Sequence, residues 1–161
     1  MEFNIRKMEK KDIPQVQQVA KASWNHTYEG MIPFDVQEKF LQKAYNDERM
    51  QQRLAHSLIL VSEADGKIIG FANCSFVREG GEANLAAIYL YPEYQGKGIG
   101  TALLEEGIKH LEGVKKLFVE VEKDNRNGKH FYQAKGFEDV SEYEEDFEGH
   151  ILKTVRMVLN V

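Results

Sequence analysis

Residues 84–105, NLAAIYLYPEYQGKGIGTALLE, place three glycines two apart between an apolar run and a second apolar pattern. Glycine costs backbone entropy, so such a cluster favours backbone with positive φ or backbone that lies close to a ligand. The run before the glycines is typical of a strand, and Leu103 and Leu104 after them begin a pattern with helical spacing. The stretch therefore predicts a strand, a turn and a helix whose first N–H groups attract an anion such as phosphate.

The rest of the chain divides into short strand patterns and helical patterns. FNIRK near the N-terminus alternates, and Asp12 followed by Pro14 predicts the start of a helix. Two more helical patterns precede SLILVSEA and KIIGFANCSFV, which the dipeptide at 65–66, Asp-Gly, joins as a hairpin. KLFVEVE predicts a strand, NRNGKHFYQAKG a helix closed by Gly136, and the remaining residues an antiparallel pair. The order β-ααα-βββ-α-β-α-ββ predicts an α/β (α+β) fold with a mixed, mostly antiparallel sheet flanked by helices.

Length, charge and cysteine content narrow the class of protein. The chain has 161 residues, 42% of them hydrophobic, so we expect residues 1–161 to form a single domain. A net charge of −5 without a basic block disfavours nucleic acid and anionic membranes as partners. Cys74 is the only cysteine and the histidines lack ligand spacing, so we expect neither an intramolecular disulfide nor a metal site. No signal-peptide-like or membrane-spanning run is present, and we expect a cytoplasmic protein.

Two nucleotide-binding motifs compete for the glycine cluster. A P-loop requires four residues between its first glycine and Gly-Lys-Ser/Thr, which GKGIGT does not provide. The dinucleotide pattern G-x-G-x-x-G also differs in spacing, although Glu120 and Glu122 follow about 20 residues later, where a ribose ligand is expected. A dinucleotide-binding module therefore stays open as an alternative.

Three segments of the chain resemble one family. Gln95, Gly98 and Gly100 match Q/R-x-x-G-x-G/A, the pyrophosphate-binding signature of the GNAT superfamily of N-acetyltransferases. NRNGKHFYQAKGF is similar to the later segment N-x-x-A-x-x-F-Y-x-x-x-G-F of that family, with Gly128 in place of the usual alanine. SWNHTYEGMIP resembles the W-x-x-x-Y-x-G-x-x-P stretch of many small bacterial members. The segments occur in the expected order, so the resemblance extends over nearly the whole chain.

The resemblance implies acetyl-CoA as cosubstrate and assigns the residues that hold it. Backbone groups of one strand would pair with the pantetheine arm, the glycine turn would hold the pyrophosphate, and Asn125 would bond the arm. A bulge would separate this strand from the next and open a slot for the thioester, although the sequence LAAIYLY does not itself indicate one. The implied cofactor-binding residues are Ile88, Tyr89, Leu90, Gln95, Gly96, Lys97, Gly98, Ile99, Gly100, Thr101, Asn125 and Tyr132.

The resemblance also assigns Tyr132 as the general acid, since attack of an amine on a thioester expels a thiolate that a phenol can protonate. A helix aromatic that packs on the sheet is the structural alternative for this residue. The general base stays open, because Asn84 occupies the position where many relatives carry a glutamate and an amide cannot accept the proton. Four other groups are candidates, directly or through water: Glu82, Glu120, Glu122 and His26.

The acceptor pocket is expected between the first helix and the final strands. Trp24 and Tyr28 would form flat apolar walls, although Trp24 also suits the core. An acidic late segment would favour a cationic acceptor such as a polyamine if it lines the mouth; its members are Asp139, Glu142, Glu144, Glu145, Asp146 and Glu148. The leading hypothesis is acetyl transfer to a small primary amine, by an enzyme that can form the homodimer common in the family. A peptide N-terminus as acceptor and a non-catalytic acyl-CoA-binding protein are the alternatives.

Overall fold

The computed structural model describes residues 1–161 and contains seven strands and five α-helices in the predicted order. The strands are β1 (Asn4–Lys7), β2 (Ser57–Ala64), β3 (Lys67–Ser75), β4 (Glu82–Leu90), β5 (Lys116–Glu122), β6 (Glu138–Phe147) and β7 (His150–Asn160). The helices are α1 (Ile13–Tyr28), α2 (Phe34–Ala44), α3 (Asp47–His56), α4 (Ile99–His110) and α5 (Arg126–Ala134). Two short 3-10 turns, Lys10–Asp12 and Pro92–Tyr94, were not foreseen. The predicted fold class is confirmed.

All seven strands belong to one sheet of order β1-β2-β3-β4-β5-β7-β6. Only β4 and β5 are parallel, and α4 forms the crossover between them. The β2–β3 hairpin turns at Asp65 and Gly66, both with positive φ of 51° and 76°, as a two-residue loop of this kind requires. The mixed, mostly antiparallel sheet is thus also as predicted.

Helices cover both faces of the sheet and create two apolar cores. On one face α4 and the buried Tyr132 of α5 pack on the strands, with Ile99 and Leu103 fully buried. On the other face α1, α2 and α3 pack on β2, β3 and β4 through residues such as Val16 and Met50. None of the helices has the length and apolarity needed to cross a membrane.

A bulge in β4 decides how the centre of the sheet is built. Asn73 of β3 pairs with Ala87 while the adjacent Cys74 pairs with Leu85, so Ala86 is the extra residue. The insertion reverses the alternation of side chains, so that Leu85 before the bulge and Ile88 after it both face the α4 core, while Ala87 faces α1. β4 pairs with β5 over only four positions, 82–85 with 116–119, and beyond them the two strands diverge.

The start of α1 differs in detail from the prediction. Asp12 does precede the helix, but its carboxylate does not cap α1. It accepts the backbone N–H of Glu9 at 2.8 Å and two hydrogen bonds from the Arg6 guanidinium, at 2.7 and 3.1 Å. Asp12 is 3% exposed, so the Arg6 contact, aided by Glu9, holds the pKa of its carboxyl below the usual value in spite of burial. Asp12 therefore ties β1 to the turn that begins α1.

Candidate active site

A cleft of about 820 Å³ opens where β4 and β5 diverge. Its walls are the C-terminal end of α1, the second half of β4, the glycine turn, the last residues of β5 and the first turns of α5. The shape follows from the bulge, because only the first half of β4 stays paired with β5. An elongated ligand can therefore lie between the strands with one end at the glycine turn.

The glycine turn at one end of the cleft has the conformation of an anion cradle. Gly96 and Gly98 have φ of 77° and 84°, and a Cβ built on either would meet nothing within 4 Å. Gly98 is the N-cap of α4, so the unpaired N–H groups and the positive end of the helix dipole face this open space. Gly100 serves packing, since a Cβ there would lie 3.4 Å from the ring of Phe131. The turn therefore fits a phosphate group at Gly96 and Gly98, while Gly100 leaves room for the Phe131 ring of α5 to pack against α4.

The free edge of β4 faces the cleft with its backbone. The Tyr91 N–H donates to the Ile69 carbonyl at 3.1 Å, so residues 91, 89 and 87 share hydrogen bonds with β3. In an antiparallel pair the intervening residues point the other way, so the amides and carbonyls of Ile88 and Leu90 point toward β5. Because β5 has diverged there, these groups are available to an extended ligand.

Most of the predicted cofactor residues meet at this cleft. Its lining includes Ile88, Tyr89, Leu90, Gln95, Gly96, Gly98, Gly100, Thr101, Asn125 and Tyr132. Lys97 and Ile99 are not part of the lining. Ile99 is fully buried in the α4 core, so its side chain points away from the cleft, and Lys97 is exposed.

Tyr132 lies on α5 with its ring in the α4 core and part of its surface on the cleft. The rings of Phe131 and Phe137 pack against it edge to face, with centroids 5.4 and 5.3 Å away. Burial raises the pKa of the Tyr132 phenol above its ordinary value, with smaller contributions from Tyr89 and Cys74, so it stays protonated at neutral pH. The packing role and the acid role are therefore compatible in one residue.

Cys74 lies on β3 and is buried in the α4 core. Burial raises the pKa of its thiol to about 12.

Of the four candidates for the general base, two line the cleft and two do not. Glu82 lies at the paired end of β4, outside the cleft lining, with a carboxylate 4.0 Å from the Arg78 guanidinium. Glu122 is buried, accepts the Asp124 N–H at 2.9 Å and has its pKa raised chiefly by burial. Glu120 and His26 both line the cleft.

The position of the missing family glutamate is also outside the cleft. Asn84 accepts a hydrogen bond from Arg78 at 3.2 Å, and its N–H donates to Ser75 at 2.9 Å. Asn84 thus has a structural role beside β3.

The expected acceptor walls lie on α1. Trp24 and Tyr28 line the cleft with ring centroids 4.5 Å apart, and both also belong to the second core. Trp24 stacks on Phe40 at 4.2 Å and donates from Nε1 to the Tyr89 hydroxyl at 2.9 Å. Trp24 is therefore both a residue of the apolar core and part of the cleft wall.

The acidic late segment does not line the cleft, so that basis for a cationic acceptor is absent. The residues lie on the exposed edge strand β6 and its turn, and several pair with lysines of the same chain. Glu142 contacts Lys123 at 2.9 Å, Asp139 contacts Lys129 at 3.3 Å, and Glu148 contacts Lys43. Charge on an edge strand also prevents pairing with other chains.

Two features of the site have no signal in the local sequence patterns. The Tyr89 side chain joins the aromatic wall although only its backbone was expected to act, because the bulge turns it toward α1. The hydrogen bond from Trp24 connects α1 to Tyr89 of β4. The two residues are 65 positions apart in the chain, so no local sequence pattern indicates their contact.

A mixed sheet that opens between two parallel strands, with a glycine cradle at a helix N-terminus, indicates an enzyme that binds an extended, phosphate-bearing coenzyme. The comparisons specify the class. The model of the acetyltransferase (GNAT) family matches residues 19–137, so the chain belongs to this family. It is an N-acetyltransferase that uses acetyl-CoA. Family membership decides against the dinucleotide-binding alternative.

Individual relatives agree with this assignment. The chain is 31% identical to spermidine N(1)-acetyltransferase of Thermoplasma acidophilum, over 85% of this chain and 89% of the relative. The crystal structure of PaiA N-acetyltransferase from Thermoplasma acidophilum in complex with coenzyme A superposes with a TM-score of 0.85, at 28% identity and full coverage of both chains. The chain is also 38% identical to ribosomal protein bS18 alanine N-acetyltransferase of Escherichia coli, but only over 48% of this chain and 52% of the relative.

Proposed function

We propose that this N-acetyltransferase transfers the acetyl group directly to a primary amine of a small, positively charged molecule, such as a polyamine. The observation that carries the proposal is the lining of the cleft on the α1 and β5 side, which includes the aromatic residues Trp24 and Tyr28 and the acidic residue Glu120. Aromatic faces and a carboxylate favour an ammonium ion. Similarity to a spermidine N(1)-acetyltransferase supports the same class of acceptor.

Acetyl-CoA is assigned to the other side of the cleft. The free backbone groups of Ile88 and Leu90 would bond the pantetheine arm as an added strand does, and the amides around Gly96 and Gly98 would bind the diphosphate. This placement directs the thioester into the gap between β4 and β5, beside Tyr132. Gln95 and Thr101 supply further polar groups along the same wall.

Direct transfer then needs two proton movements. The amine nitrogen attacks the thioester carbonyl carbon, the C–N bond forms, and the C–S bond breaks with its electron pair on sulfur. Tyr132 gives its proton to the sulfur, so coenzyme A leaves as the thiol. The proton lost by the amine passes to Glu120 or His26, the two candidates on the cleft wall, and from there to solvent, which returns a proton to Tyr132.

The acceptor class is tested by release of free thiol from acetyl-CoA with spermidine, aminoglycosides, amino acids and short peptides. We expect kcat/KM to be highest for the polycationic amines. In Glu120→Gln we expect KM for spermidine to rise about threefold to tenfold, with a smaller change for n-butylamine, which carries one charge. Glu144→Gln on β6 is the matched control, since it removes the same charge outside the cleft. Higher kcat/KM for peptide N-termini than for every small amine would contradict the proposal.

A peptide or protein N-terminus is the second candidate acceptor. The similarity to ribosomal protein bS18 alanine N-acetyltransferase favours it over about half of the chain. The same screen separates the two acceptor classes, because a peptide that begins with alanine carries no second ammonium group.

A further inference from the structure

The Tyr89 side chain connects β4 to the wall of the cleft that α1 forms. Its backbone pairs with Phe71 of β3, while the neighbouring Ile88 and Leu90 turn their amides and carbonyls toward the opening beside β5. The Tyr89 ring lies on the α1 side of the sheet, where its hydroxyl accepts the Trp24 Nε1–H at 2.9 Å. Tyr89 is therefore a direct link between the strand at the opening and the aromatic wall.

The rings around Tyr89 hold its side chain in place. Phe71 and Tyr45 pack edge to face against the Tyr89 ring, with centroids 5.6 and 6.4 Å away and interplanar angles of 79° and 62°. Phe71 and Tyr45 are buried in the second core, against which Tyr89 packs. These contacts involve the ring of Tyr89, so a phenylalanine at this position retains them.

Packing alone does not fix the orientation of Trp24. Its indole lies nearly parallel to the rings of Phe40 and Phe147, at interplanar angles of 22° and 20°. Stacking sets the plane of the indole, but a half-turn about the bond from Cβ to the ring keeps that plane, and this torsion has two broad minima. Trp24 is 6% exposed, so the half-turn would take a buried N–H away from its acceptor, which costs free energy. The hydrogen bond to Tyr89 therefore selects one of the orientations that stacking allows.

We propose that Tyr89 is a positioning residue for the acceptor, whose hydroxyl fixes the indole of Trp24 as a wall of the cleft. Both residues line the cleft, and Trp24 in turn packs against Tyr28 with ring centroids 4.5 Å apart. The shape of this aromatic wall depends on the orientation of the indole, so one hydroxyl on β4 affects how an ammonium group meets the wall. The statement about the acceptor rests on the proposed function, while the hydrogen bond and its effect on Trp24 do not.

Three substitutions separate the hydrogen bond from the packing. Tyr89→Phe removes the acceptor of the Trp24 N–H and keeps the ring. Tyr91→Phe is the matched control, because it removes a hydroxyl two positions further along, outside the cleft lining, from a ring that packs under the Lys67 ammonium at 4.8 Å. Trp24→Phe removes the donor, so in the double variant Tyr89→Phe has no N–H left to orient and the two effects should not add.

The indole N–H signal reports on the hydrogen bond without any acceptor substrate. Trp24 is the only tryptophan of the chain, so it gives a single indole signal in a nitrogen–proton correlation spectrum. Hydrogen bonding deshields this proton and protects it from exchange. We therefore expect it to move upfield and to exchange faster with solvent in Tyr89→Phe, and to keep its wild-type shift and exchange rate in Tyr91→Phe. An unchanged shift and exchange rate in Tyr89→Phe would overturn the proposal.

Steady-state kinetics with spermidine and acetyl-CoA measure the consequence for the acceptor. We expect KM for spermidine to rise about threefold to tenfold in Tyr89→Phe, as for the loss of one hydrogen bond, while kcat and KM for acetyl-CoA change less than about twofold. Equal rises in the two KM values would indicate a general disturbance of β4, and additive rises in the double variant would exclude action through Trp24; either result overturns the proposal. If the wild type does not acetylate spermidine, the proposed acceptor class fails, and the positioning role is decided by the indole signal and by the same KM comparison with the best acceptor of the screen.

Discussion

Substitution of Gly98 by alanine tests whether the glycine turn holds the diphosphate. Gly98 has φ of 84° and open space around its missing Cβ, so alanine there meets no atom of the protein but must adopt left-handed backbone. That conformation costs a non-glycine residue about 1–2 kcal/mol, less roughly 0.5 kcal/mol from a less flexible unfolded chain. We therefore expect a loss of stability of about 1 kcal/mol, which lowers Tm by about 2–4 °C in a chain of this length.

The effect on cofactor binding is expected to be larger than the effect on stability. The new methyl group would occupy the space in front of the α4 N-terminus and displace a phosphate oxygen from one or two backbone N–H groups. Each such bond to a charged group contributes about 1.5–3 kcal/mol, so Kd for coenzyme A should increase about tenfold to a hundredfold. Isothermal titration calorimetry with coenzyme A measures this change directly.

A matched control separates strain from ligand contact. Gly113 lies outside the cleft with φ of 80° and equally open space around its Cβ position, so Gly113→Ala carries the same backbone cost. We expect equal losses of Tm in Gly98→Ala and Gly113→Ala, but weaker coenzyme A binding only in the first. Equal Kd values for the two variants would refute the reasoning about the turn.

Two further predictions concern Tyr132 and Asp12. Tyr132→Phe should lower kcat by about 10²–10⁴-fold and leave Kd for coenzyme A within about twofold, because it removes the proton donor and keeps the ring packing. Stopped-flow thiol release measures kcat and calorimetry measures Kd. An unchanged kcat would show that Tyr132 is not the general acid. Arg6 holds the folded-state pKa of Asp12 below its unfolded value, so the stability it contributes is complete above about pH 4 and is lost as pH falls through the folded-state pKa. Asp12→Asn should therefore cost about 2 kcal/mol at pH 7 and progressively less in acid, as measured by urea unfolding at a series of pH values; a cost that does not depend on pH would contradict this account.

The glycine turn could be predicted from sequence because its signal is local. Positive φ at Gly96 and Gly98 is what closely spaced glycines provide, and the helix that starts at Ile99 follows from the apolar spacing behind them. The hairpin at residues 65–66 is predictable for the same reason. Such features depend on neighbouring residues only.

The opening between β4 and β5 could not be predicted from the residues of β4. Ala86 is the bulged residue, and alanine has no side chain that distinguishes a bulge from a regular strand. The extra residue is defined by pairing with Asn73 and Cys74 of β3, which is a long-range relation. Only the resemblance to the family gave the expectation of a bulge, and the structure contains it.

Charge patterns in the sequence were the least reliable guide to where residues lie in the fold. The acidic residues of β6 suggested a lining for the acceptor, yet the strand lies at the exposed edge of the sheet. A count of charges does not state which face or edge of the sheet they occupy. Glu122, for example, is a glutamate that the fold buries.

The four residue pairs between β4 and β5 are the only strand contact that joins β1–β4 to β5–β7 in the sheet. The sheet thus consists of two halves that are hydrogen-bonded to each other only at one end. A cosubstrate bound in the gap would connect the two halves at the other end. A ligand that binds only the folded state and is present at a free concentration of a hundred times its Kd adds about 2.7 kcal/mol to the free energy of unfolding. We therefore expect a cell with depleted acetyl-CoA to hold a form of this enzyme whose halves separate more often, and to lose it faster to proteolysis.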